Sequence, residues 1–266
     1  MLTSLQNSLV KQIRKLQRSK HRQEQQRFLL EGTHLLAEAC RWAWPLEVVC
    51  FTLEWQQNHE ELLQGLQESA VRIEVVSPEV LRAIATTVQP DGVVAVARAR
   101  AQQPLNFTSL GLILETIQDP GNLGTIIRTA AAAGAEGLLL SADSVDLENP
   151  KVLRASAGQW FHLPMAVSHS LETEIERYKH QGMQIVATLP QATLNYWQVD
   201  LRSPTLILIG NEGAGLSNKL VKLADYQVKI PLDQGVESLN VAIAAALLLY
   251  EVQRQYIFAP SINPPP

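Results

Sequence analysis

The sequence has few cysteines and no long apolar run, and both shortages narrow what the chain can be. Its two cysteines, Cys40 and Cys50, are too few for a disulfide framework or a four-cysteine zinc site, which favours a reducing, cytoplasmic location. The longest apolar run, Val241–Tyr250, is much shorter than the roughly 20 residues of a membrane-spanning helix. We therefore expect a protein that acts away from membranes.

Several common catalytic signatures are also missing. The six histidines are scattered along the chain, so they predict no metal site. The glycine-rich stretch Gly210–Ser217 follows a predicted strand, but it lacks the Gly-Lys-Ser/Thr ending of a P-loop and the spacing of a dinucleotide-binding loop. Its Glu212 would also repel a pyrophosphate. The sequence therefore supports neither metal nor covalent chemistry.

Positive charge is scarce overall but concentrated near the start of the chain. The net charge of −4 does not favour a nucleic-acid partner for the chain as a whole. The cations that crowd the first stretch, which we call the N-terminal cations, are Lys11, Arg14, Lys15, Arg18, Lys20 and Arg22. They predict a basic surface, with a solvated helix face or an organelle transit peptide as the alternatives.

The pattern of apolar residues predicts two α/β domains. We expect an N-terminal domain over 1–100, a linker over 101–108, a second domain over 109–258 and a disordered tail over 259–266. In the second domain, short apolar strands alternate with helices, which is typical of a parallel sheet covered on both faces. The final helix, predicted over 238–255, is apolar nearly all round and should be buried on most sides.

The stretch DPGNLGTIIRTAAAAG, 119–134, raises the question of what its arginine does. Asn122 is the expected N-cap of a helix in which Arg128 is the single charged side chain, and Gly124 leaves room one turn earlier. The residues alone leave three possibilities for Arg128. It binds a ligand, points into solvent, or pairs with a carboxylate such as Glu115.

Two further polar loops follow predicted strands. GNEGAGLS, 210–217, places Glu212 at the C-terminal end of a strand, where open α/β sheets bind ligands; an ordinary turn is the alternative. In IPLDQGVESLN, 230–240, Ser238 is expected to cap the final helix, with Asn240 in its first turn. Both capping and ligand contact would satisfy these polar groups.

Taken together, the three loops resemble a known set. N-L-G-x-x-x-R-T-A, G-N-E-G-x-G-L-S and I-P-x-x-x-x-x-E-S-L-N-V-A, in this order and spacing, closely resemble the motifs of the SpoU (TrmH-like) RNA 2′-O-ribose methyltransferases of the SPOUT superfamily. Upstream, FLLEGTHLLAEA and GVVAVA resemble the substrate-binding domain of rRNA-modifying members. Leu232 and Asp91 depart from the common pattern without touching the chemistry.

The resemblance implies a fold and a cofactor. The fold would be α/β, with a C-terminal parallel-sheet domain threaded into a deep trefoil knot and a smaller N-terminal α/β RNA-binding domain. The cofactor would be S-adenosyl-L-methionine, and no metal is needed. The residues implied to hold the cofactor, mainly through their backbone, are Thr188, Leu189, Gly210, Ile230, Leu232 and Leu239.

The resemblance also assigns catalytic roles. The implied catalytic residues are Arg128, Asn122, Glu212, Ser238 and Asn240. Because a guanidinium holds its proton tightly, a cationic Arg128 that grips a phosphate and stabilises a developing alkoxide stands beside the general-base role. Glu212 would orient the site, accept a proton or hold Arg128, and the other three would fix the ribose and phosphate.

The partners follow from the same resemblance. The N-terminal cations would grip RNA phosphates, and the chain would form a homodimer in which each active site borrows from the other subunit. Ribosomal RNA is the expected substrate. A tRNA ribose methylase and a non-catalytic RNA-binding or ribosome-assembly factor on the same fold are the alternatives, and the intact set of five polar residues argues against the last.

Overall fold

The two parts of the protein are described separately below. The structure is a computed structural model, and it describes residues 1–68, 71–99 and 104–257. The predicted tail over 259–266 and residues 101–103 of the predicted linker lie outside the described residues. Contacts divide the chain into unit 1, Met1–Ala101 with Asp146–His162, and unit 2, Gln102–Val145 with Leu163–Pro266.

Unit 1 is built on a mixed sheet of order β1-β4-β2-β3. Its strands are β1 (Arg27–Glu31), β2 (Leu46–Phe51), β3 (Arg72–Val75) and β4 (Val93–Arg98). Strand β4 is antiparallel to β1 and β2, whereas β3 runs parallel to β2. The buried residues of β4 are short and apolar, as expected for a central strand that is covered on both faces.

Helices cover this sheet. They are α1 (Ser8–Lys15), α2 (Ser19–Gln25), α3 (Thr33–Arg41), α4 (Leu53–Asn58), α5 (Glu60–Glu68), α6 (Pro78–Ile84) and α8 (Pro150–Ala155). Ser77 caps α6 as expected, because its hydroxyl accepts a hydrogen bond from the Val80 N–H at 3.3 Å. Helices α4 and α5 are separate because His59 leaves the helical conformation between them.

The segment Asp146–His162 packs with unit 1 although it lies far along the chain. It carries α8 and a 3₁₀ turn, Gln159–Phe161. The guanidinium of Arg154 lies 2.9 Å from the carboxylate of Glu31, which is 4% exposed. The second domain predicted from sequence, 109–258, includes this segment, because nothing in its local sequence indicates what it packs against.

Unit 2 contains a seven-stranded sheet of order β7-β6-β5-β10-β8-β11-β9, with every pair of neighbours parallel. Its strands are β5 (Leu110–Leu114), β6 (Leu138–Ser141), β7 (Met165–Ser168), β8 (Gln184–Thr188), β9 (Leu194–Asn195), β10 (Thr205–Ile209) and β11 (Tyr226–Lys229). The central strands β5 and β10 are buried along their whole length, as parallel strands between two helical layers should be. The predicted α/β fold with a parallel sheet is confirmed.

The helices of unit 2 are α7 (Pro120–Ala132), α9 (Leu171–His180), α10 (Asn218–Leu223) and α11 (Val241–Ile257), with a 3₁₀ turn at Tyr196–Gln198. Helix α11 packs against α7, but it is not buried all round. Ile243, Tyr250 and Ile257 are 51%, 53% and 71% exposed and lie seven residues apart, on one face of the helix. The apolar composition therefore reflects two faces, one in the core and one at the surface of the chain.

Within the described ranges, the apolar helices fall short of what crossing a membrane requires.

Candidate active site

The three polar loops meet at one edge of the unit 2 sheet. Strands β5, β10, β8 and β11 are neighbours in that order and all run parallel, so the segments that follow them share the carboxyl edge. The chain passes outward from β5 to β6 and β7 and then returns to build the other half of the sheet. The reversal lies between β5 and β10, which is where open α/β sheets bind their ligands.

Glu212 links the loops on either side of this reversal. Its carboxylate accepts hydrogen bonds from the backbone N–H of Asp119 at 3.0 Å and of Gln118 at 3.2 Å. It also accepts one from the side-chain amide of Asn122 at 3.2 Å. The loop after β10 therefore fixes the loop that leads into α7.

The third loop joins the same network through its asparagine. The amide of Asn240 donates to the side-chain oxygen of Asn122 at 2.9 Å. Glu212, Asn122 and Asn240 thus form a continuous chain of hydrogen bonds across three loops that are distant in sequence. Ser238 lies in the exposed run 231–240 and forms no hydrogen bond within the described residues.

The two helix caps differ from the sequence expectation. Asp119, not Asn122, caps α7, because its carboxylate accepts from the N–H groups of Gly121 and Asn122 at 2.7 and 2.9 Å. Asn240, not Ser238, caps α11, since its side-chain oxygen accepts from the Ala242 N–H at 2.9 Å. Both helices therefore begin at other residues than predicted, and the side chain of Asn122 is left to face Glu212 and Asn240.

Arg128 is exposed on α7 and has no ion pair or hydrogen bond within the part of the chain that the structure describes. The predicted alternative partner, Glu115, instead accepts the N–H of Ser217 at 2.7 Å. Glu212 does not hold Arg128 either. The room that Gly124 was expected to leave beside Arg128 is not open to solvent in the single chain, because Gly124 is buried.

A strained residue braces the loop that follows β5. Thr116 has a backbone φ of +56°, a left-handed value that is rare for a β-branched residue. Its hydroxyl donates to Asp143 at 2.8 Å, its N–H donates to Ser141 at 2.7 Å, and its carbonyl accepts from Asn211 at 2.8 Å. Contacts from two other loops hold this conformation, so Thr116 joins the loops after β5, β6 and β10.

The network keeps Glu212 ionised. Partial burial on its own would raise the pKa of Glu212, but hydrogen bonds from the Asp119 N–H, the Asn122 amide and the Gln118 N–H lower the pKa overall. A carboxylate with a lowered pKa is a weak base. The arrangement therefore suits Glu212 for orienting the loops better than for accepting a proton.

The loops that would hold the cofactor lie beside this network. Gly210 directly follows β10, and a Cβ there would overlap the backbone of Gly215 and Leu216, so only glycine fits. In the third loop, the backbone groups of Leu232 and Leu239 form no hydrogen bond within the described residues, and their side chains are 36% and 37% exposed. Free backbone groups beside apolar side chains suit an adenine ring.

The other three predicted cofactor residues end neighbouring strands. Thr188 ends β8 and Leu189 follows it. The Thr188 hydroxyl donates to the Leu208 carbonyl at 3.0 Å, and the Leu189 N–H donates to the Val228 carbonyl at 2.8 Å. Ile230 follows β11 and is half-buried. In residues 1–68, 71–99 and 104–257, no cluster of three metal-binding side chains occurs.

Comparison with known proteins assigns this arrangement to a family. The sequence profile of the SpoU rRNA Methylase family matches residues 109–250, and that of the MRM3-like substrate binding domain matches residues 7–95. The chain belongs to the SpoU rRNA methylase family. The resemblance seen in the three motifs is thereby confirmed.

Two relatives cover nearly the whole SpoU chain. An uncharacterized tRNA/rRNA methyltransferase of Synechocystis sp. is 48% identical over 96% of this chain and 93% of its own length. The 23S rRNA (guanosine(2553)-2′-O)-methyltransferase RlmP of Bacillus subtilis is 32% identical over 95% of this chain and 98% of its own length.

Two solved methyltransferase structures have a similar fold over nearly the whole chain. An rRNA methyltransferase from Sinorhizobium meliloti has a TM-score of 0.85 at 32% identity, covering 95% of this chain and 96% of that one. Its AdoMet-bound form has a TM-score of 0.84 at 32% identity, covering 95% and 97%.

The N-terminal cations of this SpoU chain divide into two groups. The exposed members are Lys11, Arg14, Lys15, Arg18 and Lys20. Arg22 is 2% exposed, lies 2.6 Å from the carboxylate of Asp146, and also donates to the backbone carbonyls of Leu16 and Gln17. This corrects the prediction for Arg22, which stabilises unit 1 from within and does not face solvent.

Sequence reasoning missed two residues that shape the site. Asp119 had a usable signal, because an aspartate before a proline at the first helical position is a common helix start. Thr116 had none, since a left-handed conformation at a threonine contradicts its local preference.

Proposed function

We infer that this chain is an S-adenosylmethionine-dependent methyltransferase that methylates a ribose 2′-hydroxyl of ribosomal RNA. The observation that carries this inference is the hydrogen-bonded chain of Glu212, Asn122 and Asn240, which joins the three family motifs at the reversal of the sheet. The named 2′-O-methyltransferase relatives and the AdoMet-bound neighbour agree with it.

The chemistry needs positioning and charge stabilisation. S-adenosylmethionine, when bound, supplies a methyl group on a sulfonium that already carries its leaving group, so no metal is required. We propose that the backbone and apolar side chains at Thr188, Leu189, Gly210, Ile230, Leu232 and Leu239 hold it. Alignment of the 2′-oxygen with the methyl group can contribute roughly 7–11 kcal/mol.

We assign Arg128 to the RNA side of the reaction. An exposed guanidinium without a described partner is available to grip a phosphate and to stabilise negative charge on the 2′-oxygen. Asn122, Asn240 and Ser238 fix the ribose in this assignment, and Glu212 orients Asn122. A cationic role for Arg128 needs no neutral guanidinium, which favours it over the general-base role.

The assignment is tested by substituting Arg128. We expect R128A to lower the methyl-transfer rate by at least about 100-fold, as loss of a charge-stabilising donor does, with unchanged S-adenosylmethionine affinity by calorimetry. R202A is the matched control, because Arg202 is an exposed arginine of unit 2 that pairs with Asp200. Retained activity in R128A would exclude the assignment.

The substrate class is tested with separate RNA pools. The protein is incubated with labelled S-adenosylmethionine and with unmodified rRNA or tRNA, and the 2′-O-methyl mark is mapped. We expect label in rRNA. Label confined to tRNA would support the alternative substrate, and label in neither pool would support a non-catalytic RNA-binding or ribosome-assembly factor.

A homodimer is part of the proposal. Ile243, Tyr250 and Ile257 are exposed on one face of α11, and Leu232, Val236 and Leu239 are exposed in the run 231–240. Large exposed apolar side chains of this kind support a surface that another protein chain covers. A second copy covering this surface would also bring new groups to Arg128. A two-fold axis would make the contact reciprocal.

The remaining features of the proposal concern the fold and location. We propose the trefoil knot because membership of the SpoU family implies it. Helix α11, which would form the end of the knot, packs on α7, and its Gln255 bonds the backbone of Val199 and Leu201 at 3.0 and 2.7 Å. We further propose RNA binding by 1–100, a linker over 101–108 and methyl transfer by 109–258.

The described cysteines are free thiols, which supports a cytoplasmic location.

A further inference from the structure

One tryptophan of unit 1 differs from its neighbours in exposure and in hydrogen bonding. Trp44, Trp55 and Trp160 each donate the indole N–H to an acceptor, at 2.9, 2.7 and 2.9 Å. Trp42 is 38% exposed, and its indole N–H has no acceptor within the described residues. An exposed indole of this kind commonly marks a binding surface.

The backbone turns so that this ring faces outward. Helix α3 ends at Arg41, and Ala43 adopts a left-handed φ of +48°. Trp44 then packs among buried rings, with centroids 4.9 Å from Trp160 and 5.5 Å from Phe161. Trp42 lies outside this cluster, at the surface, and the packed rings of the cluster fix the backbone close to it.

A second ring lies beside Trp42. His162 follows the 3₁₀ turn Gln159–Phe161, and its imidazole lies 4.7 Å from the Trp42 ring centroid at an interplanar angle of 31°. Both rings are exposed. The buried cluster fixes the backbone near both rings, because Trp44 is two residues after Trp42 and Phe161 directly precedes His162. The exposed pair is therefore preorganised.

A cation, Arg41, directly precedes Trp42 in the chain. The side chain of Arg41 is 72% exposed, and its guanidinium lies 3.6 Å from the Glu38 carboxylate, beyond hydrogen-bonding distance. Such a surface pair is weak and competes poorly with a phosphate. Exposed flat rings, with a weakly paired guanidinium on the residue before Trp42, match the two parts of an unpaired nucleotide, a base and a phosphate.

We propose that Trp42 and His162 form a stacking platform for an unpaired nucleobase of the RNA substrate, with Arg41 at the adjoining phosphate. This rests on the proposed function, which makes RNA the substrate. It adds base stacking to the phosphate contacts of the N-terminal cations, and it selects single-stranded over paired RNA, since only an unstacked base can occupy the platform.

The platform acts on binding and leaves the chemical step alone. Loss of one stacking contact weakens RNA binding by about 5-fold to 150-fold in proteins that bind single strands. We therefore expect W42A to raise KM and the RNA Kd by at least about five-fold while kcat stays near the wild-type value. W42F keeps a flat ring and should restore much of the affinity, whereas W42L, apolar but not aromatic, should not.

The experiment titrates each variant with an unmodified 23S rRNA transcript and follows binding and methylation separately. W197A is the matched control, because Trp197 is the other strongly exposed tryptophan of the described chain and lies in unit 2. Quenching of tryptophan fluorescence by RNA should be smaller in W42F than in wild type. Equal unfolding temperatures show that the variants are folded.

Three results would overturn the proposal. They are an unchanged RNA Kd in W42A, equal affinity in W42F and W42L, or a change in sedimentation on substitution of Trp42, which would place another protein chain on the rings. The binding titration does not depend on catalysis. If wild-type protein binds the transcript without methylating it, the proposed function fails while the platform is still tested.

Discussion

At the scale of a single residue, the hydrogen bonds of Glu212 stabilise the folded protein to an extent that depends on pH. Its carboxylate accepts three hydrogen bonds and has a lowered pKa, so it contributes stability above the unfolded pKa of about 4.3 and loses it as the pH falls through the folded value. E212Q presents an amide N–H2 to donors and should be less stable at pH 7. We expect the two unfolding temperatures, followed by circular dichroism, to converge as the pH falls from 7 to below the folded pKa of Glu212. A constant difference across that range would contradict the role.

Gly210 offers a steric test of the loop after β10. In G210A the new Cβ would overlap the Gly215 and Leu216 backbone, so the loop must shift at a cost of about 1–3 kcal/mol or more. We expect a lower unfolding temperature and weaker S-adenosylmethionine binding by calorimetry. G213A is the control, since the nearest atom to its Cβ is an Asn211 side-chain oxygen at 3.6 Å. Similar effects in both variants would show that the loop is generally intolerant.

Single residues also show where prediction from sequence ends. The chemical types at Arg128, Glu212 and Asn240 could be selected because motif order and spacing single them out. The partners of Arg22 and Thr116 could not, because Asp146 lies 124 positions from Arg22 and Thr116 adopts a conformation against its local preference. Long-range pairing leaves no local trace in composition or periodicity.

At the scale of elements, apolar patterns predicted the strands well and the helix ends less well. The short apolar runs TLILIG, 205–210, and LEVVCF, 46–51, are typical of buried strands, and they form β10 and β2. At α7, Asp119 and Asn122 are both good caps, and the Pro120 that follows Asp119 decides between them. At α11, an apolar composition could not separate a face in the core from a face at the surface.

A titratable carboxyl, Glu148, lies close to the ion pair between Arg22 of α2 and Asp146, which precedes α8. Burial, and then the charge of Asp146, raise the pKa of Glu148 to about 7, against a lowering by Arg22. A carboxyl with a raised pKa favours the folded state at low pH, and this contribution is lost as the pH rises from about 4.3 through 7.

E148Q tests this link. The amide cannot ionise, so we expect E148Q to unfold at a higher temperature than wild type at pH 8, with little difference at pH 5. Glu79 lies exposed in the first turn of α6, and E79Q is the control that should show no such pH dependence. An equal difference in unfolding temperature between E148Q and wild type at both pH values would show that folding does not raise the pKa of Glu148.

At the scale of the whole molecule, the exposed face of α11 is the surface through which we propose that two copies of the chain associate. I243R places a charge in the middle of that face, and we expect a monomer by analytical ultracentrifugation and a loss of methyl transfer. V88R is the control, because Val88 is 92% exposed and lies in unit 1. A dimeric, active I243R would exclude this face as the interface.

Unit 1 is built from two segments that are far apart in the chain, and this has a consequence for its folding during synthesis on the ribosome. Arg22 and Glu31 are buried, but their partners Asp146 and Arg154 follow 124 and 123 residues later. At about 5–20 residues per second, translation needs roughly 6–25 s to supply them. During that interval the nascent N-terminal part holds two uncompensated charges, so its final packing waits until the first strands of the methyltransferase sheet have been made.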